Sequence, residues 1–425
     1  MKIDNQQLVK IIDFWLKSTE KNELYSRDLI KEIDLKSKEV IDLVGPRRSG
    51  KSSILKLIIR YLKLKDNFLY INFEDPFFVV NNSPQVIEEL IFVFKEYFSP
   101  KLKYIFLDEI QEIANWEKAV RKLRDGESFK IFITGSSSKL LSKEVSSLIT
   151  GRHKSYKVFP LTFAEFIFFK KINISSKRDI ILKEKLLIKQ FNEYLQIGGF
   201  PEVVIRKDVE LLKNYFFDIL EKDIIARYEI REKEILQKLA LYLLSNSGNI
   251  LSIESLKTAF NISFAALSSY LEYLKESFMV MELLQFSYSL KKQSKALKKI
   301  YAIDIGLANS VSFKFSEDKG RALENSVFLE LKKSSKEIYY YKTKNNLEVD
   351  FLVKEKTVMK EIIQVCWSIE DNKTKEREIR NLAVAMDELG LKSGLILTYD
   401  EADVIKINRK TIIVKPVFRW LLEDK

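Results

Sequence analysis

Short apolar runs alternate with helical periodicities along the first 160 residues of the chain. After an apolar run that ends at Gly45, similar runs cover Phe68–Phe73, Tyr104–Leu107, Phe129–Ile133 and Tyr156–Phe159, with helical segments between them. Strands that are apolar at nearly every position are typical of parallel sheets covered on both faces. The pattern therefore predicts an α/β fold with a parallel sheet and helices on both sides.

The rest of the chain shows three further patterns. Residues 160–228 are helical in pattern and are interrupted by the turn formers at 198–201, which predicts a helical lid. Helical segments at 232–246, 252–260 and 263–277, followed by a strand-like 278–286, have the order of a winged helix. Strand and helix patterns after about residue 302 predict a C-terminal α/β module. The predicted boundaries are 1–160, 161–230, 231–301 and 302–425.

Length and composition indicate a soluble protein with several cores. The chain has 425 residues, 46% hydrophobic and 31% charged, which exceeds one ordinary domain. Asp4 and Asp13 interrupt the N-terminal apolar pattern, which therefore predicts an amphipathic helix and not a secretory signal. Because no apolar stretch reaches the roughly 18 residues of a spanning helix, we expect a cytoplasmic protein with no membrane association.

Single residues and total charge narrow the possible chemistry. One cysteine, Cys366, excludes an internal disulfide, and one histidine, His153, leaves no Cys/His set for a structural zinc ion. The formal net charge of +12 favours polyanions if the cations cluster on one face. A lysine-rich surface that serves solubility explains the total equally well.

The first apolar run leads into a phosphate-binding motif. Gly45-Pro-Arg-Arg-Ser-Gly50-Lys51-Ser52 fits GxxxxGK[ST], and a helical pattern follows it. In this P-loop, backbone N–H groups surround phosphates, the lysine reaches the terminal phosphates and the hydroxyl meets Mg²⁺. The motif predicts ATP and Mg²⁺ as ligands. The predicted nucleotide-contacting residues are Gly45, Pro46, Arg47, Arg48, Ser49, Gly50, Lys51, Ser52 and Ser53.

A second apolar run ends in two carboxylates, as in a Walker B motif. Lys103-Tyr-Ile-Phe-Leu-Asp108-Glu109 would carry Asp108 to the sheet edge nearest the P-loop. There Asp108, with Ser52, would hold Mg²⁺, and Glu109 would polarise the attacking water. Lys51, Asp108 and Glu109 are the predicted catalytic residues, and the adjacent acids favour hydrolysis over binding alone.

Two further polar positions have open interpretations. Thr134 or Ser136, at the end of the next strand, would sense the terminal phosphate or simply cap a helix. Arg152, shortly after that strand, is a solvated side chain or an arginine finger for its own or a neighbouring subunit. A finger in a neighbouring subunit would imply a homo-oligomer.

With these motifs the chain resembles a family of archaeal and bacterial AAA+-like P-loop ATPases. Members of that family carry a C-terminal module of unknown function with a restriction-endonuclease-like fold. The resemblance runs nearly end to end. It implies an ASCE-type ATPase core and makes Arg152 a recurrent arginine position. It rests on GPRRSGKSS, YIFLDEIQEI, IFITGSSSKLL, TGRHKSYKVFPLTFAEF, YLQIGGFPEVV, NLEVDFLV and IIQVCWSI.

The winged-helix segment has two interpretations. The helix at 263–275 would enter a DNA groove, and the lysines that follow the wing, from Lys291 to Lys299, would hold phosphates. That helix carries only Lys275 as a cation, beside Glu272 and Glu276, so a protein-binding or purely structural role is an equal alternative.

The C-terminal module resembles the PD-(D/E)xK nuclease core. Glu324 and Asp350 stand where acids are expected, but the acid-x-lysine pair is replaced by Gln364-Val-Cys366. Metal-dependent cleavage needs the acidic ligands and a lysine that assists the water. We therefore expect a relic site at Glu324, Asp350 and Gln364 without nuclease activity, unless Lys342 or Lys344 substitutes.

The predicted function is an ATP-binding and ATP-hydrolysing AAA+-like ATPase associated with DNA. The alternative is a nucleotide-gated signalling or regulatory switch whose appended domains bind protein.

Overall fold

The computed structural model describes residues 4–20, 24–126, 129–137, 152–312, 319–334 and 337–423. The chain divides into two compact units. The first consists of residues 1–158 with 276–278, and the second of residues 159–275 with 279–425.

The first unit contains a five-stranded sheet in which every described pairing is parallel. The strand order is β2-β3-β4-β1-β5. The strands are β1 (Val40–Val44), β2 (Phe68–Asn72), β3 (Tyr104–Asp108), β4 (Lys130–Gly135) and β5 (His153–Lys157). The prediction of a parallel α/β sheet of the P-loop type is confirmed, although β5 begins three residues earlier than the apolar pattern indicated.

Helices surround this sheet and bury its side chains. The helix that follows the P-loop packs Ile54, Leu55 and Ile58 into the same core as Phe106 and Phe132. The rings of Phe106 and Phe132 stack with centroids 4.7 Å apart. The helices are α1 (Asn5–Ser18), α2 (Leu29–Glu32), α3 (Lys51–Tyr61), α4 (Phe77–Val80), α5 (Gln85–Tyr97) and α6 (Trp116–Asp125), with a 3₁₀ turn at Ile110–Glu112.

The second unit begins with helices, as the sequence pattern predicted for the lid segment. Helix α7 starts with a capping box, in which Thr162 and Glu165 each hydrogen-bond the backbone N–H of the other. The helices are α7 (Phe163–Phe169), α8 (Lys177–Leu182), α9 (Glu184–Ile197), α10 (Pro201–Arg206), α11 (Glu210–Asp218) and α12 (Ala226–Tyr228), with a π-helix at Ile219–Ile225.

The turn between α9 and α10 is tightly packed. Gly198 has φ +71°, and a Cβ there would lie 2.1 Å from a carboxylate oxygen of Asp304. That carboxylate accepts a 2.7 Å hydrogen bond from the Gly199 N–H. Burial raises the pKa of Asp304 to about 6, against backbone hydrogen bonds that lower it. The glycines are required here by the close approach of Asp304 and by the backbone conformation.

A small antiparallel sheet with the order β6-β8-β7 follows. Its helices and strands come in the order predicted for the winged-helix segment. They are α13 (Lys233–Ser245), β6 (Ile250–Leu251), α14 (Ile253–Phe260), α15 (Phe264–Glu276), β7 (Val280–Leu283), α16 (Leu290–Lys295) and β8 (Lys298–Ala302).

The chain ends in a six-stranded mixed sheet with the order β13-β14-β12-β11-β10-β9. Strands β11, β12 and β14 pair in parallel, and the other pairings are antiparallel. The elements are α17 (Ile305–Val311), α18 (Lys319–Lys333), β9 (Glu337–Lys342), β10 (Glu348–Glu355), β11 (Val358–Val365), α19 (Asn372–Leu389), β12 (Ser393–Thr398), β13 (Asp403–Ile407), β14 (Lys410–Pro416) and α20 (Val417–Leu422). No helix in the described ranges is long and apolar enough to cross a membrane.

Candidate nucleotide site

The P-loop backbone turns sharply between β1 and α3. A Cβ on Gly45 would lie 2.1 Å from the carbonyl oxygen of Val158. Gly50 has φ +98°, so both positions require glycine. The Ser49 hydroxyl is buried and has no hydrogen-bond partner among the described residues. A buried hydroxyl without a described partner, beside the first N–H groups of a helix, which lack intrahelical acceptors, suits an anionic oxygen ligand.

Lys51 is the first residue of α3 and is 3% exposed. Its ammonium donates hydrogen bonds of 3.1 Å to the carbonyl oxygens of Gly45 and Pro46, and it lies 3.3 Å from Glu109 Oε1. A buried cation held by two carbonyls and one carboxylate can exchange these contacts for phosphate oxygens. Lys51 is therefore placed for the role that the motif predicted.

Asp108 ends β3 and is fully buried. Its carboxylate accepts hydrogen bonds of 2.5 Å from the Thr134 hydroxyl and 2.7 Å from the Tyr70 hydroxyl. Burial and the Glu109 carboxylate raise the pKa of Asp108, and hydrogen bonds from Thr134, Ser52 and Tyr70 lower it in part. The contact with Ser52 brings together the two oxygen donors that the sequence assigned to Mg²⁺, an ion that binds through oxygen ligands.

Glu109 occupies a left-handed conformation, φ +52°, immediately after the strand. Its N–H donates a 2.9 Å hydrogen bond to the Thr134 hydroxyl, and its carboxylate accepts one of 2.6 Å from the Gln111 amide. Burial would raise the pKa of Glu109, but Lys51, Gln111 and Arg47 outweigh it and lower that pKa. Glu109 is therefore ionised near neutral pH and can accept a proton or orient a water molecule.

The other P-loop side chains form no described hydrogen bond with Asp108 or Glu109, although the charge of Arg47 acts on Glu109. Arg47 pairs with Glu74, Arg48 is exposed with φ +65°, and Ser53 is exposed on α3. Their predicted nucleotide contacts stay predictions.

Thr134 links both Walker B acids, since it donates to Asp108 and accepts from Glu109. Ser136 is buried, and the Gln111 amide lies 3.5 Å from its hydroxyl. The helix-capping alternative for these hydroxyls depends on residues 138–151, which lie outside the described ranges. Thr134 is thus the better placed of the two candidates for sensing the state of the acids.

Arg152 lies at the far end of the sheet. Its carbonyl accepts from the N–H of Val40, the first residue of β1, whereas the P-loop follows the last residue of β1. Five strand residues separate the two edges by roughly 16 Å. Its side chain is half-exposed and pairs with Asp125 at 2.5 Å. The expectation that Arg152 contacts phosphates of its own subunit is therefore wrong, while a role in a neighbouring subunit stays a prediction.

Three residues of the site were not identified from the sequence. Tyr70 and Asn72, from β2, direct polar groups at Asp108, with Asn72 Nδ2 at 3.4 Å. Gln111 positions Glu109. A polar residue at the end of an apolar strand beside the Walker B strand was the available signal for Asn72, because C-terminal ends of neighbouring parallel strands meet at one sheet edge.

The C-terminal acids form a buried cluster around a lysine from a different sheet. The Lys299 ammonium, on β8, lies 2.9 Å from Asp350 and Glu348 and 3.1 Å from Glu324. Lys299 is 2% exposed. Burial would lower the pKa of Lys299, but Asp350 and Glu324 outweigh it and hold that pKa well above its usual value. Lys299 is thus the lysine that contacts all three acids, while Lys342 lies 3.8 Å from Glu348, so a substitution by Lys342 or Lys344 stays a prediction.

Two of the acids in this cluster accept further hydrogen bonds, whereas among the described residues the neighbouring Gln364 does not use its side-chain oxygen. The Tyr301 hydroxyl donates a hydrogen bond of 2.6 Å to Glu324, and the Val365 N–H donates one of 2.9 Å to Asp350. Gln364 is buried, and its Oε1 has no hydrogen-bond partner among the described residues. Burial and Asp350 raise the pKa of Glu324 to about 7. Within the described ranges, no group of three or more His, Cys, Asp or Glu is arranged to hold a metal ion.

The cations of the winged-helix segment are largely engaged. Lys275 pairs with Glu272 at 2.5 Å and with Glu282 at 3.4 Å, and Lys298 pairs with Glu282 at 2.9 Å. With Lys299 buried, the lysines between β7 and β8 that form no ion pair with a described residue are those on α16.

Comparisons with known proteins agree with the ATPase geometry. Residues 37–167 match an AAA domain, and residues 188–318 and 319–418 match two domains of unknown function, DUF8612 and DUF4143. The uncharacterized protein MJ1544 of Methanocaldococcus jannaschii is 38% identical over 427 residues, which covers 96% of this chain and 93% of that protein. The chain belongs to the family of MJ1544. An uncharacterized protein of Haemophilus influenzae is 30% identical over 362 residues, covering 82% of this chain and 87% of that protein.

Solved structures align with parts of this MJ1544 family member at low TM-scores. The Thermotoga maritima RuvB Holliday junction branch migration motor aligns with a TM-score of 0.29 and 16% identity, over 66% of this chain and 89% of that one. DnaA from Aquifex aeolicus, bound to AMPPCP, aligns with a TM-score of 0.26 and 17% identity, over 60% and 90%. The AAA domain match and the parallel sheet together give the chain an AAA+ ATPase fold.

Proposed function

We propose that this protein binds and hydrolyses ATP with Mg²⁺ and acts in association with DNA. The observation that carries the ATPase proposal is the buried cluster at the end of β3, where the Lys51 ammonium lies 3.3 Å from Glu109 and Asp108 is held by two hydroxyls. Buried charges at this density are costly unless they serve a ligand or each other.

Each residue of the cluster has a distinct task in this proposal. Lys51 leaves the Gly45 and Pro46 carbonyls to contact the terminal phosphates of ATP. Ser52 and Asp108 hold Mg²⁺, which neutralises charge on the phosphates when bound. Glu109, ionised because Lys51 and Gln111 lower its pKa, orients the attacking water and accepts its proton. Thr134 fixes the backbone of Glu109 and the carboxylate of Asp108 at once.

The C-terminal module is proposed to have the nuclease-like fold without the activity. The position of the nuclease lysine is taken by Cys366, and Lys299 occupies the centre of the acids. The ammonium satisfies the negative charge that would otherwise attract a divalent ion. The domain boundaries at residues 160, 230 and 301 and a homo-oligomer with Arg152 at a subunit contact are also proposals. Unchanged turnover in Arg152→Ala at all protein concentrations would remove the second of these.

Steady-state ATP hydrolysis with and without Mg²⁺ tests the ATPase proposal. Lys51→Ala is expected to abolish nucleotide binding, and Glu109→Gln to retain binding while turnover falls by roughly 10²-fold or more. Glu96→Gln, at an exposed acid on α5, is the control and should keep wild-type turnover. Wild-type turnover in Glu109→Gln, or failure of the wild type to bind ATP, would contradict the proposal.

A second candidate, a nucleotide-gated switch that binds protein, is favoured by one observation. The only cation of helix α15, Lys275, is held by Glu272 and Glu282, which leaves the helix poorly suited to DNA phosphates. Hydrolysis by the wild type in the presence and absence of duplex DNA separates the candidates. Stimulation by DNA supports the first, and hydrolysis that is indifferent to DNA at low salt supports the second.

A further inference from the structure

A basic groove lies at the edge of the ATPase sheet opposite the P-loop. It has a volume of about 900 Å³ and is lined by residues that precede or begin β1, β3 and β4 and by the end of α3. Because the strands are parallel, their N-terminal ends share one edge of the sheet, while Lys51, Asp108 and Thr134 lie at the other. The groove is thus separate from the nucleotide site but belongs to the same unit.

Cations dominate the lining of this groove. They are Lys31, Lys36, Lys38, Lys103, Arg124 and Lys130. A second concavity of about 560 Å³ shares Lys103 and adds Lys63, Lys65 and Lys101. The carboxylates among these lining residues are Asp34 and Asp66. Because they share Lys103, the two concavities form one basic strip, in which Lys31 pairs with Asp28 and Arg124 with Glu39.

The acid in the larger groove does not neutralise its lysines. Asp34 pairs at 2.7 Å with Lys154, on β5, and the hydrogen bond from Lys154 lowers the pKa of Asp34. Lys36, Lys38 and Lys103 are exposed and form no ion pair with a described residue. Uncompensated cations in a concave surface concentrate positive potential and attract polyanions.

Aromatic side chains lie among the cations. Tyr61, at the end of α3, is 68% exposed, and Tyr104 and Phe129 are partly buried along the same groove. Lysines that alternate with aromatic faces are typical of surfaces that hold nucleic-acid backbones and stack unpaired bases. An acidic polypeptide would use the cations but has no comparable need for the aromatic faces.

We propose that this groove binds the phosphate backbone of a nucleic acid. The inference rests on the proposed association with DNA and moves the contact from the winged helix to the ATPase unit. Helix α3 runs from Lys51 to Tyr61, and β3 runs from Tyr104 to Asp108, so each joins the groove to the nucleotide site. A strand bound in the groove therefore contacts elements that end at the catalytic residues, and nucleic acid should alter the rate of hydrolysis.

Fluorescence anisotropy with labelled single-stranded and duplex DNA, between 50 and 200 mM salt, tests the proposal. The groove variant is Lys36→Gln/Lys38→Gln/Lys103→Gln. The control is Lys291→Gln/Lys292→Gln/Lys295→Gln, which removes the same charge from exposed lysines after the wing. The groove variant should bind roughly tenfold more weakly or worse, and its salt slope should fall by about 2.7 for duplex or about 2.1 for single strands.

The outcomes separate this inference from the proposed function. Weaker binding by the groove variant alone, with an unchanged melting temperature, supports the groove. If only the control variant loses affinity, DNA association stands and the groove proposal fails. If the wild type does not bind DNA at 50 mM salt, or binds polyglutamate as tightly, both the nucleic-acid groove and the DNA association are wrong. ATP hydrolysis, measured separately, decides the ATPase proposal in every case.

Discussion

Replacement of Lys299 by methionine isolates the charge at the centre of the C-terminal acidic cluster. Methionine is unbranched and of similar length, so the substitution removes the ammonium while filling much of its space. Three carboxylates, those of Glu324, Glu348 and Asp350, then face one another without the cation that lies within 3.1 Å of each. We expect the second unit to lose stability.

The size of the loss follows from burial. Removing one partner of a buried ion pair costs about 3–5 kcal/mol. Lys299 is 2% exposed, so this range applies to it. The side chain of Glu348 is 33% exposed, and solvent screens its share of the interaction. For a unit of this size, each kcal/mol corresponds to about 2–4 °C, so the melting temperature should fall by roughly 6–20 °C. The lower part of that range is expected because Glu324 can take up a proton.

The loss should depend on pH. The pKa of Glu324 in the folded protein is about 7, above its usual 4.5, so folding binds a proton between these values and stability falls as pH rises through that window. Without Lys299 the pKa of Glu324 rises further. The stability deficit of Lys299→Met should therefore be smaller near pH 5 than near pH 8, while the lost contacts with Asp350 and Glu348 contribute at both.

Thermal unfolding followed by circular dichroism at pH 5 and pH 8 measures this deficit. Lys298→Met is the matched control, because Lys298 is the neighbouring residue on β8 but is 39% exposed and pairs only with Glu282 among the described residues. It should cost less than about 1 kcal/mol. An equal loss in both variants, or a deficit of the same size at both pH values, would refute the reasoning.

Two smaller predictions concern a histidine and a glycine. The hydrogen bond to Asp42 raises the pKa of His153 in the folded protein above 6.5. Protonated His153 therefore adds stability below pH 6.5, and this stability is lost as pH rises through the folded pKa. Melting temperatures of His153→Gln between pH 5.5 and 8.5 should lack this dependence. Gly198→Ala should cost more than the roughly 1 kcal/mol expected for strain alone, because its Cβ would meet Asp304 at 2.1 Å. Gly390→Ala, with φ +69° and nothing within 4 Å, reports the strain alone in urea unfolding.

The nucleotide-binding part was predictable from the sequence because its chemistry is local. Lys51 and Ser52 lie within eight residues of Gly45, and Asp108 and Glu109 are adjacent. Parallel strands bring their C-terminal ends to one edge, so the two motifs had to meet once the sheet was correctly predicted. Only the residues that hydrogen-bond the two acids, such as Tyr70, could not be identified without the structure.

The C-terminal cluster was predictable only in part because its cation comes from elsewhere in the chain. Glu324, Asp350 and Gln364 were identified from the resemblance of the module to a nuclease core, with Glu324 on a helix and the other two on strands. Lys299 lies 51 residues before Asp350, in a segment where the sequence predicted it to be one of several phosphate-holding lysines after the wing. Nothing in that basic run distinguishes the one lysine that is buried from those that are exposed.

The position of Arg152 was also predicted incorrectly, because its distance along the sequence from β4 did not reflect its place in the sheet. Its proximity in sequence to the end of β4 favoured a place near the phosphates, because residues that follow a strand usually lie at the C-terminal edge of the sheet. The chain had returned to the opposite edge before β5, where Arg152 meets the N-terminal residue of β1. A residue just before a parallel strand belongs to the edge at which that strand begins, and this rule would have placed Arg152 correctly had β5 been predicted from His153.

The two lysine-rich regions of the chain differ in what surrounds them, and this difference bears on function. On β8, Lys298 pairs with Glu282, and Lys299 pairs with Glu324, Glu348 and Asp350. The charge of these two lysines is therefore neutralised within the second unit. At the edge of the ATPase sheet opposite the P-loop, Lys31 pairs with Asp28, but Lys36, Lys38 and Lys103 form no ion pair with a described residue. A polyanion gains little from cations that already hold carboxylates, because binding must first break those pairs. The unmatched cations are therefore the ones expected to set the affinity for DNA and its dependence on salt.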